Sequence, residues 1–182
     1  MNKFFATLLI LIGSPFCLII ALIIYIEDGS PIFFKQKRIG VNYSLFNIYK
    51  FRTMKKGTPN VATHLLENPE SYLLKIGKVL RKLSLDELPN LINIIKGEMV
   101  FVGPRPALYN QDDLMALRVS AGIDKLKPGI TGWAQINGRD EISIHAKVAL
   151  EKEYLDRRSA WFDVVILVKT FSRVLFIKGI SH

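Results

Sequence analysis

Asp86 and Glu87 are adjacent carboxylates in the run Leu83-Ser-Leu-Asp-Glu-Leu-Pro89-Asn90, and Pro89 points to a helix start at this place. If Asp86 is the N-cap, Pro89 falls at the third helical position, where its missing N–H has no intrahelical partner. With Ser84 as N-cap and Glu87 closing a capping box, Pro89 sits deeper in the helix, so the first register is preferred. The positive end of a helix stabilises an ionised carboxylate and favours a phosphate beside it. A carboxylate so placed has two chemistries open to it: attack on phosphorus to give an acyl phosphate, or ligation of Mg²⁺. The alternative is that Asp86 merely caps a helix, and the residues alone leave both readings open.

Bases surround this pair. Lys75, Lys78, Arg81 and Lys82 precede it, Lys50 and Arg52 end a strand-like run, and Arg105 follows in Gly103-Pro-Arg-Pro106. An Arg fork matches phosphate oxygens bidentately, and Lys supplies a point charge. Pro104 and Pro106 fix the backbone around Arg105, whereas Lys55, Lys56 and Lys82 read as a solvated or membrane-facing surface. Gly129, Gly132 and Gly138 permit close backbone approach to a ligand or a bilayer. The chain has no Rossmann fingerprint, no P-loop and no GxSxG elbow.

The elements that must position these groups begin with a membrane segment. Of 182 residues 49% are hydrophobic, and the 23 residues from Phe4 to Ile26 carry no charge while all 16 acids follow them. As a helix this stretch reaches roughly 35 Å, enough for a hydrocarbon core of about 30 Å. Ser14 and Pro15 interrupt it midway, because Pro removes a donor and clashes with the preceding turn. Two half-helices dipping in and returning, or one kinked span, both satisfy the physics. A cleaved leader fits less well, since no small-x-small site follows the apolar run. Lys35, Lys37, Arg38, Lys50, Arg52, Lys55 and Lys56 flank the segment on its C-terminal side, which keeps that side cytoplasmic.

Residues 27 to 182 form a basic body with 24 Lys and Arg against 16 Asp and Glu. A net +9 for the chain calls for an anionic partner: nucleic acid, lipid headgroups or a phosphorylated substrate. Nucleic acid is disfavoured, because aromatics do not interleave with the basic runs and no recognisable binding module is present. One Cys and three widely spaced His exclude a disulfide framework and a His or Cys metal cage, and the apolar fraction excludes disorder. Periodicity predicts a β-hairpin over 31–53, helices over 72–82 and 88–95, and a short strand over 99–102. A loop is expected over 56–69, helices over 112–123 and 143–157, and a Gly-punctuated segment over 127–139. The last element, 161–177, is apolar but interrupted by Asp163, Lys169 and Arg173, so it reads as amphipathic. Trp133 and Trp161 are expected at the interface or in the core.

These motifs together resemble the bacterial sugar transferases, more narrowly the small monotopic phosphoglycosyl transferases. The resemblance lies in Ser14-Pro15, Asp28-Gly-Ser-Pro-Ile-Phe-Phe34, Tyr49-Lys-Phe-Arg-Thr-Met54, Leu83-Ser-Leu-Asp-Glu-Leu-Pro89 and Lys96-Gly-Glu-Met99. It continues through Val102-Gly-Pro-Arg-Pro106 and Lys127-Pro-Gly-Ile-Thr-Gly-Trp-Ala-Gln135, in order over nearly the whole chain. It implies an α+β, mostly helical fold: a re-entrant membrane anchor over 1–27 broken at Ser14-Pro15, then a cytoplasmic catalytic domain over 28–182 with a short hairpin and interfacial amphipathic helices. It further implies transfer of a sugar 1-phosphate from a UDP-sugar to undecaprenyl phosphate, with release of UMP, on the cytoplasmic face of the bacterial inner membrane and among its lipids. Asp86 is then the nucleophile and a Mg²⁺ ligand, and Glu87 its acid/base or metal-ordering partner. Lys50, Arg81 and Arg105, with Pro104 and Pro106 framing the latter, bind phosphates or nucleotide, and Asp163 matches a C-terminal carboxylate of the family. The chain departs from that pattern in two places: Met1-Asn2-Lys3 stands where a basic pair and an Asp are usual, and Glu151 stands where an Asp is common in Leu-Asp-x-x-Tyr.

Overall fold

The computed structural model describes residues 2–59, 67–138 and 142–176. Much of the expected 56–69 loop, Arg139 and the last residue of the expected C-terminal helix therefore lie outside the described residues. The fold is α+β and mostly helical, as the sequence implies.

Helix α1 (Asn2–Asp28) contains the whole uncharged stretch and is long and apolar enough to cross a membrane. It runs through Ser14 and Pro15 as one helical segment, so the two expected half-helices are joined. Pro15 lacks the N–H that would have bonded the Leu11 carbonyl, and Ser14 Oγ donates to that carbonyl at 2.9 Å instead. The residue pair expected to break the helix thus also repairs it. One face packs on the body through Ala6, Ile10, Ile20 and Ile24, while Phe4, Leu11, Ile12, Leu18 and Ile26 stand exposed.

Strands β1 (Phe33–Ile39) and β2 (Leu45–Phe51) form the expected hairpin, with Phe33 opposite Phe51 and Ile39 opposite Leu45. Its turn needs left-handed backbone at Asn42, φ 50°, and Tyr43, φ 61°. Asn visits that region more readily than most residues. Helix α2 (Lys75–Lys82) packs so close to the end of β2 that a Cβ on Gly77 would lie 2.2 Å from the Thr53 carbonyl oxygen. The helix expected over 88–95 divides into a 3₁₀ segment, Leu85–Asn90, and α3 (Leu91–Lys96), which ends at Gly97 with φ 86°.

Strand β3 (Val100–Val102) is the expected short strand, and Gly103-Pro-Arg-Pro106 leads from it into β4 (Ala107–Leu108). The latter adds to the hairpin in the order β2-β1-β4, pairing Arg38 with Leu108. Helix α4 (Asp112–Ser120) precedes the Gly-punctuated segment, which holds β5 (Gly129–Thr131) and α5 (Trp133–Asn137). β5 runs parallel to β3, with Val100 opposite Gly129. Two elements there escape periodicity, because strands and helices of three to five residues are too short to show any.

Helix α6 (Ile144–Arg157) starts where Ser143 Oγ accepts the Ala146 N–H, and α7 (Ala160–Phe176) follows it directly. α7 is amphipathic as expected. Phe162 and Ile166 are buried, and Trp161, Val164, Val168 and Phe171 form an exposed apolar stripe. Trp133 lies on the core side, its ring 5.0 Å from that of Phe162 and its Nε1 donating to Glu153. The main core joins Val102, Leu114, Met115, Ile123, Tyr154 and Phe162, and two further clusters join α1 to α3 and to α2. Fully buried side chains such as Ile24, Leu80 and Ile94 contribute about 1.5–3 kcal/mol each by leaving water.

Candidate active site

The 3₁₀ segment Leu85–Asn90 carries both carboxylates, and its geometry corrects the preferred helix register. Its N-cap is Ser84, in left-handed backbone at φ 55°, so Asp86 is the second residue of the turn. Ser84 makes no side-chain cap bond, and the Glu87 carboxylate turns away to Lys50, so no capping box forms. Pro89 lies inside this turn and has no N–H to donate to the Asp86 carbonyl three residues back.

Lys50, at the end of β2, faces this turn. Its Nζ donates to Glu87 Oε1 at 2.6 Å and lies 3.9 Å from Asp86 Oδ2. Arg105 approaches the same Glu87 oxygen at 3.6 Å. Glu87 therefore holds the two cations, while Asp86 is near Lys50 but outside hydrogen-bond reach of it. The Asp86 side chain is 13% exposed. Burial pushes its carboxyl above the usual carboxylate range, the Glu87 charge adds to this, and Lys50 and Arg81 pull it back. A carboxylate that is poorly solvated and uncommitted to a close ion pair is a better nucleophile than one neutralised by a partner.

Arg81, on the last turn of α2, donates through Nε to Thr53 Oγ1 at 2.9 Å and adds its field at Asp86. Burial pulls its pKa down, but a guanidinium stays charged. Arg52 instead serves α1. It is 7% exposed, and its guanidinium reaches the carbonyls of Asp28 and Gly29 at 3.0 and 2.7 Å and the Asp28 carboxylate at 3.1 Å. Glu27 receives the backbone N–H groups of Lys75 and Ile76 at the start of α2. The C-terminal end of the apolar helix is thus bonded to the two elements that flank the carboxylates.

The Pro104-Arg105-Pro106 turn has no N–H at either proline, and each of its three carbonyls accepts a hydrogen bond. Gly129 N–H donates to Pro104, the Arg118 guanidinium to Arg105, and the Arg38 guanidinium to Pro106, at 2.9, 2.9 and 3.0 Å. Gly103 and Gly129 let β3 and β5 meet here, since a Cβ on Gly129 would lie 2.2 Å from the Gly103 nitrogen. A shallow, open pocket lies between this turn and the 3₁₀ segment, lined by Arg38, Lys50, Glu87, Asn90, Arg105 and Pro106 among others. It suits the charged part of a larger substrate whose remainder lies outside.

The structure brings together Glu87, Lys50 and Arg105 by direct contact and Pro106 by lining the pocket. Asp86 stands 3.9 Å from Lys50, Arg81 acts on it by its field, and Asp86, Arg81 and Pro104 are outside the pocket lining. The structure places Asp163 elsewhere. The Asp163 carboxylate accepts the Tyr154 hydroxyl at 2.8 Å, in the α6–α7 corner, and that hydroxyl also lies 3.2 Å from the Val102 carbonyl. Two polar residues of the pocket, Arg38 and Asn90, lie outside the sequence reading of the site. Arg38 stood only among the flanking bases, and its position opposite Leu108 beside the proline turn depends on the β1–β4 pairing. Asn90 is 3% exposed and its Oδ1 is buried without a hydrogen-bond partner among the described residues. Its only sequence signal was its spacing of three from Glu87, which puts both on one face of a 3₁₀ turn.

Comparison with known proteins adds an independent line. Residues 1–177 match the family model of bacterial sugar transferases. An uncharacterized sugar transferase of Bacillus subtilis, EpsL, is 43% identical over 160 residues, 88% of this chain and 78% of that protein. The exopolysaccharide production protein ExoY of Rhizobium meliloti is 38% identical, covering 96% of this chain and 83% of its own. The UDP-glucose:undecaprenyl-phosphate glucose-1-phosphate transferase of Escherichia coli is also 38% identical, over 91% of this chain but 37% of that longer protein. A dense, ordered motif set, a basic body with a carboxylate pair facing three cations, and a family match over almost the full length agree: this chain belongs to the bacterial sugar transferases.

Proposed function

We propose that the chain transfers a sugar 1-phosphate from a UDP-sugar to undecaprenyl phosphate, releasing UMP, through a covalent intermediate on Asp86. The observation that carries this reading is the split between the two carboxylates: Glu87 binds Lys50 and Arg105, while Asp86 beside it is half-buried, stands 3.9 Å from Lys50, and has its carboxyl pushed up by desolvation. The relatives named for undecaprenyl-phosphate sugar phosphotransfer supply the substrate classes. In the first step an Asp86 oxygen attacks the β-phosphorus, the bond from that phosphorus to the bridging oxygen breaks, and UMP leaves with the electron pair. In the second, an oxygen of undecaprenyl phosphate attacks the same phosphorus and the Asp86 carboxylate is released. Lys50, Arg105 and Arg38 offset the charge of the diphosphate, and Arg81 favours the ionised form of Asp86.

The donor set fits Mg²⁺. Asp86 and Glu87 offer carboxylate oxygens, Asn90 Oδ1 is an unpartnered buried acceptor, and such hard oxygens suit this ion. Mg²⁺ is commonly held by one or two carboxylates together with substrate phosphates, and Asp86 and Glu87 would serve as those carboxylates. When bound, Mg²⁺ supplies neutralisation of the diphosphate charge.

The site works at a membrane surface. Both ends of α1 are bonded to or packed on the same body: Lys3 lies beside Gly97, Ala6 packs with α3, and Glu27 and Asp28 bond α2 and Arg52. That arrangement supports a re-entrant, monotopic anchor over 1–27, with its exposed apolar side in one leaflet and the domain over 28–182 on the cytoplasmic face of the inner membrane. The exposed stripe of α7 supplies a second apolar contact with that surface.

The test is UMP release from a panel of UDP-sugars in the presence of Mg²⁺ and undecaprenyl phosphate, with wild type against Asp86→Asn. The expected result is release from at least one donor that disappears in Asp86→Asn, with one equivalent of sugar phosphate trapped on the wild-type protein when lipid is withheld. Turnover by Asp86→Asn at the wild-type rate overturns the covalent mechanism, and absence of release from every donor overturns the reaction.

A further inference from the structure

Arg118 and Glu151 form the most buried charge pair described in the molecule, 5% and 2% exposed, and neither lines the pocket. The contact is bidentate: Nε to Oε2 at 2.8 Å and Nη2 to Oε1 at 2.5 Å. Replacing such a pair with well-packed apolar residues is often neutral or stabilising, so fold stability gives little reason to keep it. Its geometry suggests another use. Arg118 Nη2 also donates to the Arg105 carbonyl at 2.9 Å, and Glu151 fixes the fork that makes this bond.

We infer that the Arg118–Glu151 pair is a positioning device for Arg105, setting the direction from which its guanidinium meets the substrate phosphates. Three features of the turn converge on this. The two prolines restrict φ on either side of Arg105 and remove the donors that could pin the segment from within. Gly129 and Arg38 hold the Pro104 and Pro106 carbonyls, and the carbonyl of Arg105 lies between these two holds. Arg118 supplies its donor from α4, and Glu151 anchors Arg118 from α6, so two helices remote from the pocket steer a residue inside it. Glu151 is the acid found where the family pattern commonly has Asp, and its length here serves the bidentate contact.

This inference rests on the phosphate-binding role proposed for Arg105. The decisive variant is Arg118→Met/Glu151→Leu, which removes the charges together and keeps the volume, so the protein folds while the Arg105 carbonyl loses its donor. UDP affinity by calorimetry and thermal stability are measured on the full chain in detergent or nanodiscs. The comparison set is wild type, the double variant, Arg105→Ala, and the combination of the two. The expected result is unchanged or higher thermal stability, UDP binding weakened about 10-fold, and little further loss when the double variant is added to Arg105→Ala. Unchanged UDP affinity in the double variant, or full additivity with Arg105→Ala, overturns the positioning role. A second readout is independent of the substrate reading: the Arg105 Nε–H NMR signal, assigned by its loss in Arg105→Ala, is expected to shift or broaden in Arg118→Lys. An unchanged signal overturns the inference even if wild type binds no UDP, which would refute the proposed reaction separately.

Discussion

Lys50 is the residue whose removal tests the electrostatic logic of the site most directly. Its ammonium is 2.6 Å from Glu87 and 3.9 Å from Asp86, with side-chain exposures of 18%, 19% and 13% for the three groups. At an effective dielectric near 20, a 3.9 Å pair attracts by about 4 kcal/mol before desolvation is subtracted. A charge-assisted hydrogen bond such as Lys50–Glu87 has a net value of about 1.5–3 kcal/mol. Lys50→Met therefore leaves two adjacent carboxylates with less compensation, and the Asp86 carboxyl, already raised by burial, moves further up. Because the attacking species is ionised Asp86, activity falls on the acid side of that pKa, so the acid limb of the rate profile moves to higher pH. At neutral pH kcat/KM for UMP release is expected to drop about 10- to 150-fold, with part of the loss recovered as pH is raised. The assay is initial-rate UMP release from pH 5.5 to 9.5 for wild type, Lys50→Met and Lys50→Arg, with Lys50→Arg retaining the wild-type limb. An equal loss at every pH would show that Lys50 only binds phosphate, and would refute the claim that it tunes Asp86.

Asp86→Asn is expected to abolish turnover and to raise the melting temperature at neutral pH. The folded pKa of Asp86 lies above its unfolded value, so its contribution to stability is present at low pH and lost as pH rises through the folded pKa. The advantage of Asn in thermal unfolding should accordingly grow from acidic to neutral pH, and an equal difference at both refutes it. Arg52→Met strips the end of α1 of its buried donor and takes the cation from the Asp28 carboxylate, which keeps the Lys56 N–H. About 3 kcal/mol of stability should go with it by denaturant titration. Gly77→Ala drives a methyl into the Thr53 carbonyl, and a loss of about 1–3 kcal/mol, with weakened UDP binding through displaced Arg81, is expected from unfolding and calorimetry together.

The parts of this molecule legible in the sequence are those whose physics is local. The uncharged run of α1, the hairpin with Asn42 at its turn, Gly97 ending α3 and Ser143 starting α6 each follow from composition, periodicity or a cap. The carboxylate pair and its cations were legible for the same reason: Asp86-Glu87, Lys50 and Arg105 sit in short motifs whose residue types already suggest phosphate. What periodicity missed is non-local or too short to carry a period. The β3–β5 pairing requires two glycines 26 positions apart to meet, and β4 is two residues long. The register at Asp86 differs from the expectation because the local structure is a 3₁₀ turn capped at Ser84 and not an α-helix capped at Asp86, a choice that periodicity over six residues does not decide.

Asp163 and Glu151 show why residue type alone could not finish the site. Both are acids in the C-terminal third, and one was expected at the substrate on the strength of its motif. The structure gives Asp163 a hydroxyl from Tyr154, and burial together with that neighbouring carboxylate pushes the phenol well above its usual pKa, so the contact is a neutral donor bonded to an acceptor. The same hydroxyl lies within 3.2 Å of the Val102 carbonyl, one residue before the glycine that leads to Pro104. Glu151, through Arg118, reaches the carbonyl of Arg105 itself. Glu151, an acid that does not touch the pocket, therefore holds the turn that delivers Arg105 to it, while Asp163 takes the Tyr154 hydroxyl in the α6–α7 corner. The chemistry needs one exposed face of a guanidinium in a fixed place, and two prolines can restrict that turn but cannot anchor it. The anchors have to come from elsewhere in the fold. That is why α6, which contributes no side chain to the pocket lining, carries an acid whose removal together with Arg118 is expected to register first in substrate affinity.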